Sequence, residues 1–312
     1  MSFDKKIRAN YDRKMPTNDY LKYWKVIKHW AKATYGIGSA DLEMMLFLYS
    51  EGLFTRKQFD EFDEFTRKLS SETQKTILSL YENPDLEIEL KGDETPVTFA
   101  DKETERQIRE AIQVVFPDHG IKGEEYDDVN PHSAFTWVID PIDGTKTFTS
   151  GCPLFGTMIA LMQDGEPVFG SINFPALGKR ISSNSQTTAV NGSIVKASSN
   201  RRLEDAILLT TDQADVARHQ NGEAFEKLVS ATRFTRTWGD CYGYYLLATG
   251  NADIMLDPEM SPWDIMALVP IIRGSGATIT DWKGGNPATG DSIVAASSNL
   301  HGRVLEILKA GA

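Results

Sequence analysis

The chain has 312 residues, of which 41% are hydrophobic and 25% are charged, as is typical of a globular protein with one or two domains. No apolar run approaches the roughly 20 residues of a membrane span, and the net charge of −11 argues against broad nucleic-acid binding. The polar first ten residues and the presence of only two cysteines, Cys152 and Cys241, predict a cytoplasmic protein with reduced thiols.

The first 55 residues differ from the rest in charge. Residues 1–60 carry 11 basic and 7 acidic side chains, a net of +4, so the remainder carries −15. Apolar residues recur at helical spacing before a Gly-containing turn, namely Leu21, Trp24, Ile27 and Ala31. We expect a helical N-terminal extension whose apolar side packs on the body of the protein. Helix, turn and helix are also the order of a DNA-binding helix-turn-helix, so a partial motif that binds nucleic acid through residues 1–55 is the alternative.

Residues 56–312 are expected to form one domain in which helices and strands alternate. A helix is predicted from about 55 to 81, a strand at 86–90, a helix at 102–115 and a short strand from 120. Asp101 precedes the second helix, where a carboxylate is commonly an N-cap. Glu124 and Glu125 follow the short strand, and adjacent carboxylates are tolerated either in water or beside a cation. Glu124 is therefore a candidate metal ligand or a surface residue.

Residues 137–145 read Trp-Val-Ile-Asp-Pro-Ile-Asp-Gly-Thr and are the most informative stretch of the chain. The apolar start predicts a buried strand, which we expect to end at Pro141 because proline cannot donate to a sheet ladder. Gly144 permits a tight turn, and Thr145 is a suitable N-cap for a following helix. Carboxylates suit Mg²⁺ and free amides at a helix start suit phosphate, so the stretch predicts either such a site or an acidic turn before a capped helix.

The rest of the body continues the alternation. A hairpin is predicted at 156–174, helices at about 222–232 and 242–249, and a strand at 252–256. Asp264 lies in the first turn of the next predicted helix, where anions are favoured with or without a functional role. Two further strands and a final helix near 301–308 complete an α/β body.

Three ordered stretches, residues 123–125, 140–145 and 263–264, resemble the motifs of the inositol monophosphatase superfamily. The resemblance covers residues 57–312 and implies an α-β-α-β-α sandwich, a Mg²⁺-dependent phosphatase with two or three Mg²⁺ ions per site, and a homodimer. Residues 144–157 and 238–244 look like the histidinol-phosphatase branch of that superfamily. Residues 182–186 depart from the glycine-containing hairpin that is usual in relatives.

The resemblance also implies metal ligands, residue by residue. One Mg²⁺ ion would be held by Glu124, Asp140 and the backbone carbonyl of Ile142. A second would be held by Asp140, Asp143 and Asp264, with Asp140 bridging the two ions.

Catalytic and binding roles are implied in the same way. Thr145 and Asp101 resemble the pair that orients and deprotonates the attacking water, and the amides of Gly144 and Thr145 would bind phosphate. The substrate pocket is expected near three acidic residues, Asp240, Asp257 and Glu259. Asp240 is the favoured specificity residue because histidinol phosphate carries an amine and an imidazole, although a helix-capping role is the alternative.

We predict a Mg²⁺-dependent phosphomonoesterase that acts on L-histidinol phosphate, a small metabolite of histidine biosynthesis. The nearest alternative is an inositol monophosphatase or another small sugar-phosphate monoesterase. A nucleotide 3′-phosphatase would need a basic, aromatic pocket, which the sequence does not reveal. From another class, the chain could be a DNA-binding regulator that uses a phosphatase-like body as a ligand sensor.

Overall fold

The computed structural model describes residues 56–81, 83, 88–90 and 96–310. The predicted N-terminal extension and its possible helix-turn-helix lie outside these residues. Within the described ranges, no helix combines the length and the apolar character that crossing a membrane requires.

The described residues form alternating helices and strands. In chain order the α-helices are α1 (Arg56–Leu80), α2 (Phe99–Val115), α3 (Thr145–Thr149), α4 (Gln213–His219), α5 (Gly222–Ala231), α6 (Asp240–Ala248), α7 (Pro262–Met266), α8 (Leu268–Gly274) and α9 (Ser298–Lys309). The first strands are β1 (Ile88–Leu90), β2 (Pro96–Thr98), β3 (Gly120–Gly123), β4 (Phe135–Asp143), β5 (Gly156–Gln163), β6 (Glu166–Phe174) and β7 (Lys179–Ser183). The remaining strands are β8 (Thr188–Val190), β9 (Ser193–Val195), β10 (Ile207–Leu209), β11 (Phe234–Arg236), β12 (Ile254–Asp257), β13 (Ala277–Thr280) and β14 (Ile293–Ser297).

The larger sheet has seven strands in the sequential order β3 to β9. Strands β3 and β4 are parallel, and each later neighbouring pair is antiparallel. Side chains alternate across β4, as strand geometry requires. Trp137 packs edge-on against Phe62 of α1, while Val138 belongs to the hydrophobic cluster on the opposite face. Helix α1 therefore covers one face of this sheet.

The smaller sheet has five strands in the order β11-β10-β12-β14-β13. Met255 of β12 joins the central cluster together with residues of α6, α7 and α8, whereas Ile254 and Leu256 point to a second cluster with Phe225 of α5 and Val304 of α9. Helices thus lie outside the larger sheet, between the sheets, and outside the smaller sheet. The predicted α-β-α-β-α layering is confirmed.

Strand β4 does not end at Pro141, so that prediction was wrong. The ladder with β5 pairs Asp140 with Met158 and next pairs Asp143 with Gly156. Two residues of β4 therefore face the single residue Thr157, whose hydroxyl donates to the carbonyl of Pro141 at 2.9 Å. This is a β-bulge, and the missing N–H of proline falls where the ladder is interrupted.

The predicted starts of two helices also differ from the structure. Helix α2 begins at Phe99 with Thr98 as its N-cap, and Asp101 is the third helical residue of a capping box. Helix α3 is preceded by Gly144 as its N-cap, so Thr145 is its first residue. Asp101 thus uses one carboxylate oxygen for capping, and Thr145 lies inside the first turn of its helix instead of capping it.

Candidate functional site

Three carboxylates meet at the bulge in β4. In a regular strand Asp140 and Asp143 would point to opposite faces because they are three residues apart, and the extra residue of the bulge brings them to the same side. Asp264 comes from the first turn of α7, where its Oδ2 accepts a hydrogen bond of 2.7 Å from the amide of Ser261. Carboxylate oxygens of Asp140, Asp143 and Asp264 all lie within 4.8 Å of one another.

These carboxylates resist ionisation when no cation is present. Burial, followed by repulsion from Glu124 and Asp143, raises the pKa of Asp140 well above its usual value. Burial and the nearby charge of Asp240 do the same to the pKa of Asp143. Burial is also the main reason that the pKa of Asp264 is raised to about 7. Close like charges are stable in a folded protein only when they are protonated or neutralised by a cation.

The site fits a hard cation on structural grounds as well. Within the described part of the chain, the buried Oδ1 of Asp140 has no hydrogen-bond partner. An unsatisfied buried carboxylate oxygen is costly, and carboxylate and carbonyl oxygens are the preferred ligands of Mg²⁺. The carbonyl of Ile142 lies in the same bulge and accepts a 3.1 Å hydrogen bond from Thr145, which leaves its second lone pair available. These oxygens could hold one or more divalent cations.

Asp101 and Thr145 are in direct contact. Oδ2 of Asp101 accepts hydrogen bonds from the amide and hydroxyl of Thr98, at 2.8 and 2.7 Å. That arrangement directs Oδ1 towards the hydroxyl of Thr145, 3.3 Å away. Burial raises the pKa of Asp101 to about 6, against the opposing effect of the Thr98 hydrogen bonds. A carboxylate with a pKa in this range is suited to accept a proton near neutral pH.

Gly144 and Asp240 pack closely at the start of α3. Gly144 has a left-handed φ of 83°, and a Cβ at this position would lie 2.8 Å from the carboxylate of Asp240. That carboxylate accepts a 2.8 Å hydrogen bond from the hydroxyl of Thr147. The amide of Cys241 donates to Asp143 at 2.5 Å, so the first turn of α6 contacts both α3 and the carboxylate cluster. Close approach and positive φ together explain the glycine.

A pocket of about 150 Å³ opens beside the cluster. Half of its fourteen lining residues are acidic, namely Asp143, Asp212, Asp215, Asp240, Asp257, Glu259 and Asp264. The other lining residues are Met158, Thr211, Cys241, Tyr244, Pro258, Met260 and Leu268, so no lysine or arginine of the described chain lines it. Every lining side chain that can carry a charge near neutral pH is therefore acidic.

The acidic residues of the pocket differ in their surroundings. Asp257 is buried and accepts hydrogen bonds from the amide of Thr211 and the hydroxyl of Tyr244, at 3.0 and 2.9 Å. Burial raises the pKa of Asp257 to about 6 despite these bonds. Glu259 is exposed and lies 3.0 Å from the imidazole of His219. Asp257 is held in place as part of the pocket wall, whereas Glu259 lies on its rim.

The structure brings the predicted residues together in three groups. The carboxylates of Asp140, Asp143 and Asp264 form the cluster, Asp101 and Thr145 share a hydrogen bond, and the predicted substrate residues line the pocket, namely Asp240, Asp257 and Glu259. Glu124 follows β3, and its charge contributes to the raised pKa values of Asp140 and Asp264. This electrostatic effect places Glu124 near the cluster.

Sequence reasoning missed several residues of the site. Thr98 and Asp101 have the spacing of a capping box, a signal that could have identified Thr98. Asp212 caps the seven-residue helix α4, and Asp215 lies in its first turn. Helix α4 is too short for a clear apolar periodicity, which explains why its position at the pocket was not predicted.

Comparison with known proteins yields one consistent group. The model of the inositol monophosphatase family matches residues 58–311. A histidinol-phosphatase of Chlorobaculum parvum is 36% identical over 239 residues, covering 76% of this chain and 92% of that protein. A histidinol-phosphatase of Mycobacterium tuberculosis is 35% identical over 233 residues, covering 73% and 90%. An inositol monophosphatase structure from Zymomonas mobilis is 32% identical, with a TM-score of 0.72 and coverage of 80% of this chain and 98% of that one.

Proposed function

Because the chain belongs to the inositol monophosphatase family, we propose that this phosphatase is Mg²⁺-dependent and hydrolyses L-histidinol phosphate to L-histidinol and phosphate. The proposal combines a metal site, a water-activating pair and an acidic substrate pocket. The similarity to two histidinol-phosphatases supports the choice of substrate. The single observation that carries it is the negative lining of the pocket beside the carboxylate cluster. A homodimer stays a prediction from the family resemblance.

The metal ligands of this proposal are the carboxylates of the cluster together with Glu124 and the carbonyl of Ile142. Two observations support it: oxygens of Asp140, Asp143 and Asp264 lie within 4.8 Å of one another, and Oδ1 of Asp140 has no hydrogen-bond partner among the described residues. Divalent cations, when bound, supply the positive charge that phosphate oxygens need and acidify water.

The chain's own residues would then orient water and phosphate. The hydroxyl of Thr145 lies within hydrogen-bond distance of both the carbonyl of Ile142 and Oδ1 of Asp101, at 3.1 and 3.3 Å. When it donates to Asp101, the lone pairs of Thr145 can accept a hydrogen bond from the attacking water and pass its proton towards Asp101. Backbone amides of Gly144 and Thr145 at the start of α3 would receive phosphate oxygens. Water is the nucleophile in this scheme, so no phosphorylated side chain is formed.

The charge of the pocket favours a cationic substrate over a neutral one. Histidinol phosphate carries an ammonium group and an imidazole, whereas inositol 1-phosphate offers only hydroxyls beyond its phosphate. Cations bound by Asp143 and Asp264 would leave Asp212 and Asp240 as lining carboxylates with no lysine or arginine in the same lining, whereas Glu259 already lies 3.0 Å from His219. A carboxylate that loses water when a ligand binds is stabilised by a cationic ligand, whereas a neutral ligand leaves its charge without a partner.

The charge of Asp240 is expected to set this preference, with a smaller contribution from Asp212. Asp240→Asn keeps an acceptor for Thr147, and Asp212→Asn keeps an N-cap for α4, so each removes mainly charge. We expect kcat/KM for histidinol phosphate to fall by about tenfold or more, as for loss of one charge-assisted contact of about 1.5 kcal/mol. Activity on inositol 1-phosphate should fall less. The measurement is phosphate release under Mg²⁺ saturation.

Asp164→Asn provides the control for Asp240→Asn and Asp212→Asn. Asp164 is exposed in the turn between β5 and β6 and is not among the residues that line the pocket. Asp164→Asn should therefore leave kcat/KM unchanged for both substrates. Equal losses on both substrates in Asp240→Asn would contradict the specificity role and leave Asp240 as a support of the α3 start.

A further inference from the structure

Helix α2 carries a buried ion pair whose two residues are not among those that line the pocket. Nε of Arg109 donates to Oε1 of Glu105 at 2.6 Å, with spacing i to i+4 along the helix. Glu105 is completely buried and Arg109 is 8% exposed. Burial raises the pKa of the Glu105 carboxyl in spite of the hydrogen bond from Arg109.

Glu105 and Arg109 also form hydrogen bonds with the backbone of the loop that follows β3. The second oxygen of Glu105 accepts the amide of Glu125 at 2.8 Å. The two Nη groups of Arg109 donate to the carbonyls of Tyr126 and Asp127, at 2.8 and 2.9 Å. Three backbone groups directly after Glu124 are therefore fixed to α2 by one pair of side chains.

The residue before Glu124 is fitted to the same carboxylate. A Cβ on Gly123 would lie 2.0 Å from Oε1 of Glu105 and 2.4 Å from its carboxyl carbon. Only glycine allows this approach of backbone to carboxylate. Contacts to Glu105 thus lie on both sides of Glu124, at Gly123 and at the amide of Glu125.

The same helix also carries Asp101, one turn before Glu105. Asp101 and Glu105 are four residues apart and therefore share a face of α2. Asp101 contacts Thr145, while Glu105 and Arg109 hold the Glu124 loop. A displacement of α2 would move the water-activating carboxylate and the loop of Glu124 together.

We propose that Glu105 and Arg109 are positioning residues that hold Glu124 in place for a divalent cation and in register with Asp101. This inference rests on the proposed function. A buried ion pair is on average no more stabilising than a well-packed apolar pair, so stability alone does not explain it. A role in positioning does explain the pair, because it makes directional hydrogen bonds to backbone groups of three consecutive residues after Glu124. Groups that orient metal ligands typically govern metal affinity.

The test replaces the pair by apolar residues of similar volume, Glu105→Met with Arg109→Leu. Isothermal titration of the full-length, metal-free protein with Mg²⁺ should show a dissociation constant raised by about 10- to 100-fold, as for loss of residues that orient metal ligands. The melting temperature of the metal-free protein should stay close to that of the wild type. The amide of Glu125 should exchange hydrogen faster, because its acceptor on Glu105 is gone.

Two further variants make the test independent of the apolar replacement. Arg109→Lys keeps the charge but cannot span both carbonyls, so it should weaken Mg²⁺ binding in the same direction. Arg106→Gln removes an exposed arginine that pairs with Glu103 on the same helix, and it should leave the Mg²⁺ dissociation constant unchanged.

The outcomes separate this inference from the proposed function. Wild-type affinity for Mg²⁺ in both the double variant and Arg109→Lys, whatever their stability, would overturn the positioning role. Failure of the wild-type protein to bind Mg²⁺ would instead overturn the proposed metal site. Weaker binding in the pair variants, with Arg106→Gln unchanged, supports the inference.

Discussion

Asp140→Asn is expected to reduce kcat by at least about 1,000-fold, because cations supply several kcal/mol of charge stabilisation and each 1.36 kcal/mol is tenfold in rate. Asp140 is buried close to the carboxylates of Glu124, Asp143 and Asp264, and among the described residues its Oδ1 has no hydrogen-bond partner. An asparagine of the same shape fills the space but lacks the charge to hold a divalent cation. The measurement is Mg²⁺-dependent phosphate release by purified variant and wild-type protein.

The same change is expected to stabilise the metal-free protein. It removes a carboxylate that lies among Glu124, Asp143 and Asp264, so about 1 kcal/mol of relieved repulsion would raise the melting temperature by about 2 °C. If Asp140→Asn lowers activity and raises the melting temperature of the metal-free protein, the charge of Asp140 serves function at the expense of stability. Loss of both activity and stability would indicate a packing defect instead.

The pH dependence of stability provides a second readout of Asp140→Asn. Folded carboxyls with raised pKa values retain protons that the unfolded chain loses from about pH 4 upwards. Stability of the metal-free wild type should therefore fall as pH rises from about 4 towards 7, where the pKa of Asp264 lies. Asp140→Asn should flatten this fall, while Asp164→Asn should not. An unchanged slope in Asp140→Asn would contradict the electrostatic account of the cluster.

Thr145→Val is expected to lower kcat by about 10² to 10⁴, the usual range for loss of positioned proton transfer. Valine matches threonine in shape but cannot share a hydrogen with Asp101 or offer lone pairs to water. Asp101→Asn should give a loss of similar size, because Oδ1 of Asp101 is the acceptor of the Thr145 hydroxyl. Thr145→Ser retains the hydroxyl and should stay within about tenfold of the wild type.

The double variant Asp101→Asn with Thr145→Val tests whether the two residues act as one unit. Residues of one proton path are non-additive, so the double variant should be about as slow as the slower single variant. Thr149→Val is a matched control, since its hydroxyl donates to the carbonyl of Thr145 within the same helix and does not contact Asp101. Fully additive losses in the double variant would show that Asp101 and Thr145 act separately.

Local pattern and the family resemblance together predicted which residues meet at the candidate site. The carboxylates of Asp140 and Asp143, the glycine before a short helix, and Asp264 in a first turn were all visible as residue types at fixed spacing. The layered architecture could also be predicted, because the family resemblance implied it and the strand and helix patterns agreed with it.

Other features of the site depend on contacts between distant parts of the chain and could not be predicted from local sequence patterns. The bulge that turns Asp140 and Asp143 to one side depends on how β4 pairs with Thr157 of β5, which is not encoded in residues 137–145 themselves. Proline was a misleading stop signal, because an interrupted ladder needs no N–H at that point. Asp212 and Glu105 reach the site by tertiary contacts from α4 and α2, so neither had a motif to mark it.

The most direct test of the account is phosphate release from histidinol phosphate, inositol 1-phosphate and adenosine 3′,5′-bisphosphate, each with and without Mg²⁺. The acidic pocket predicts Mg²⁺-dependent hydrolysis with the highest kcat/KM for histidinol phosphate. Mg²⁺-dependent hydrolysis with preference for inositol 1-phosphate or the nucleotide would retain the metal site and contradict the assignment of substrate. Activity that is independent of divalent cations would contradict the account of the carboxylate cluster itself.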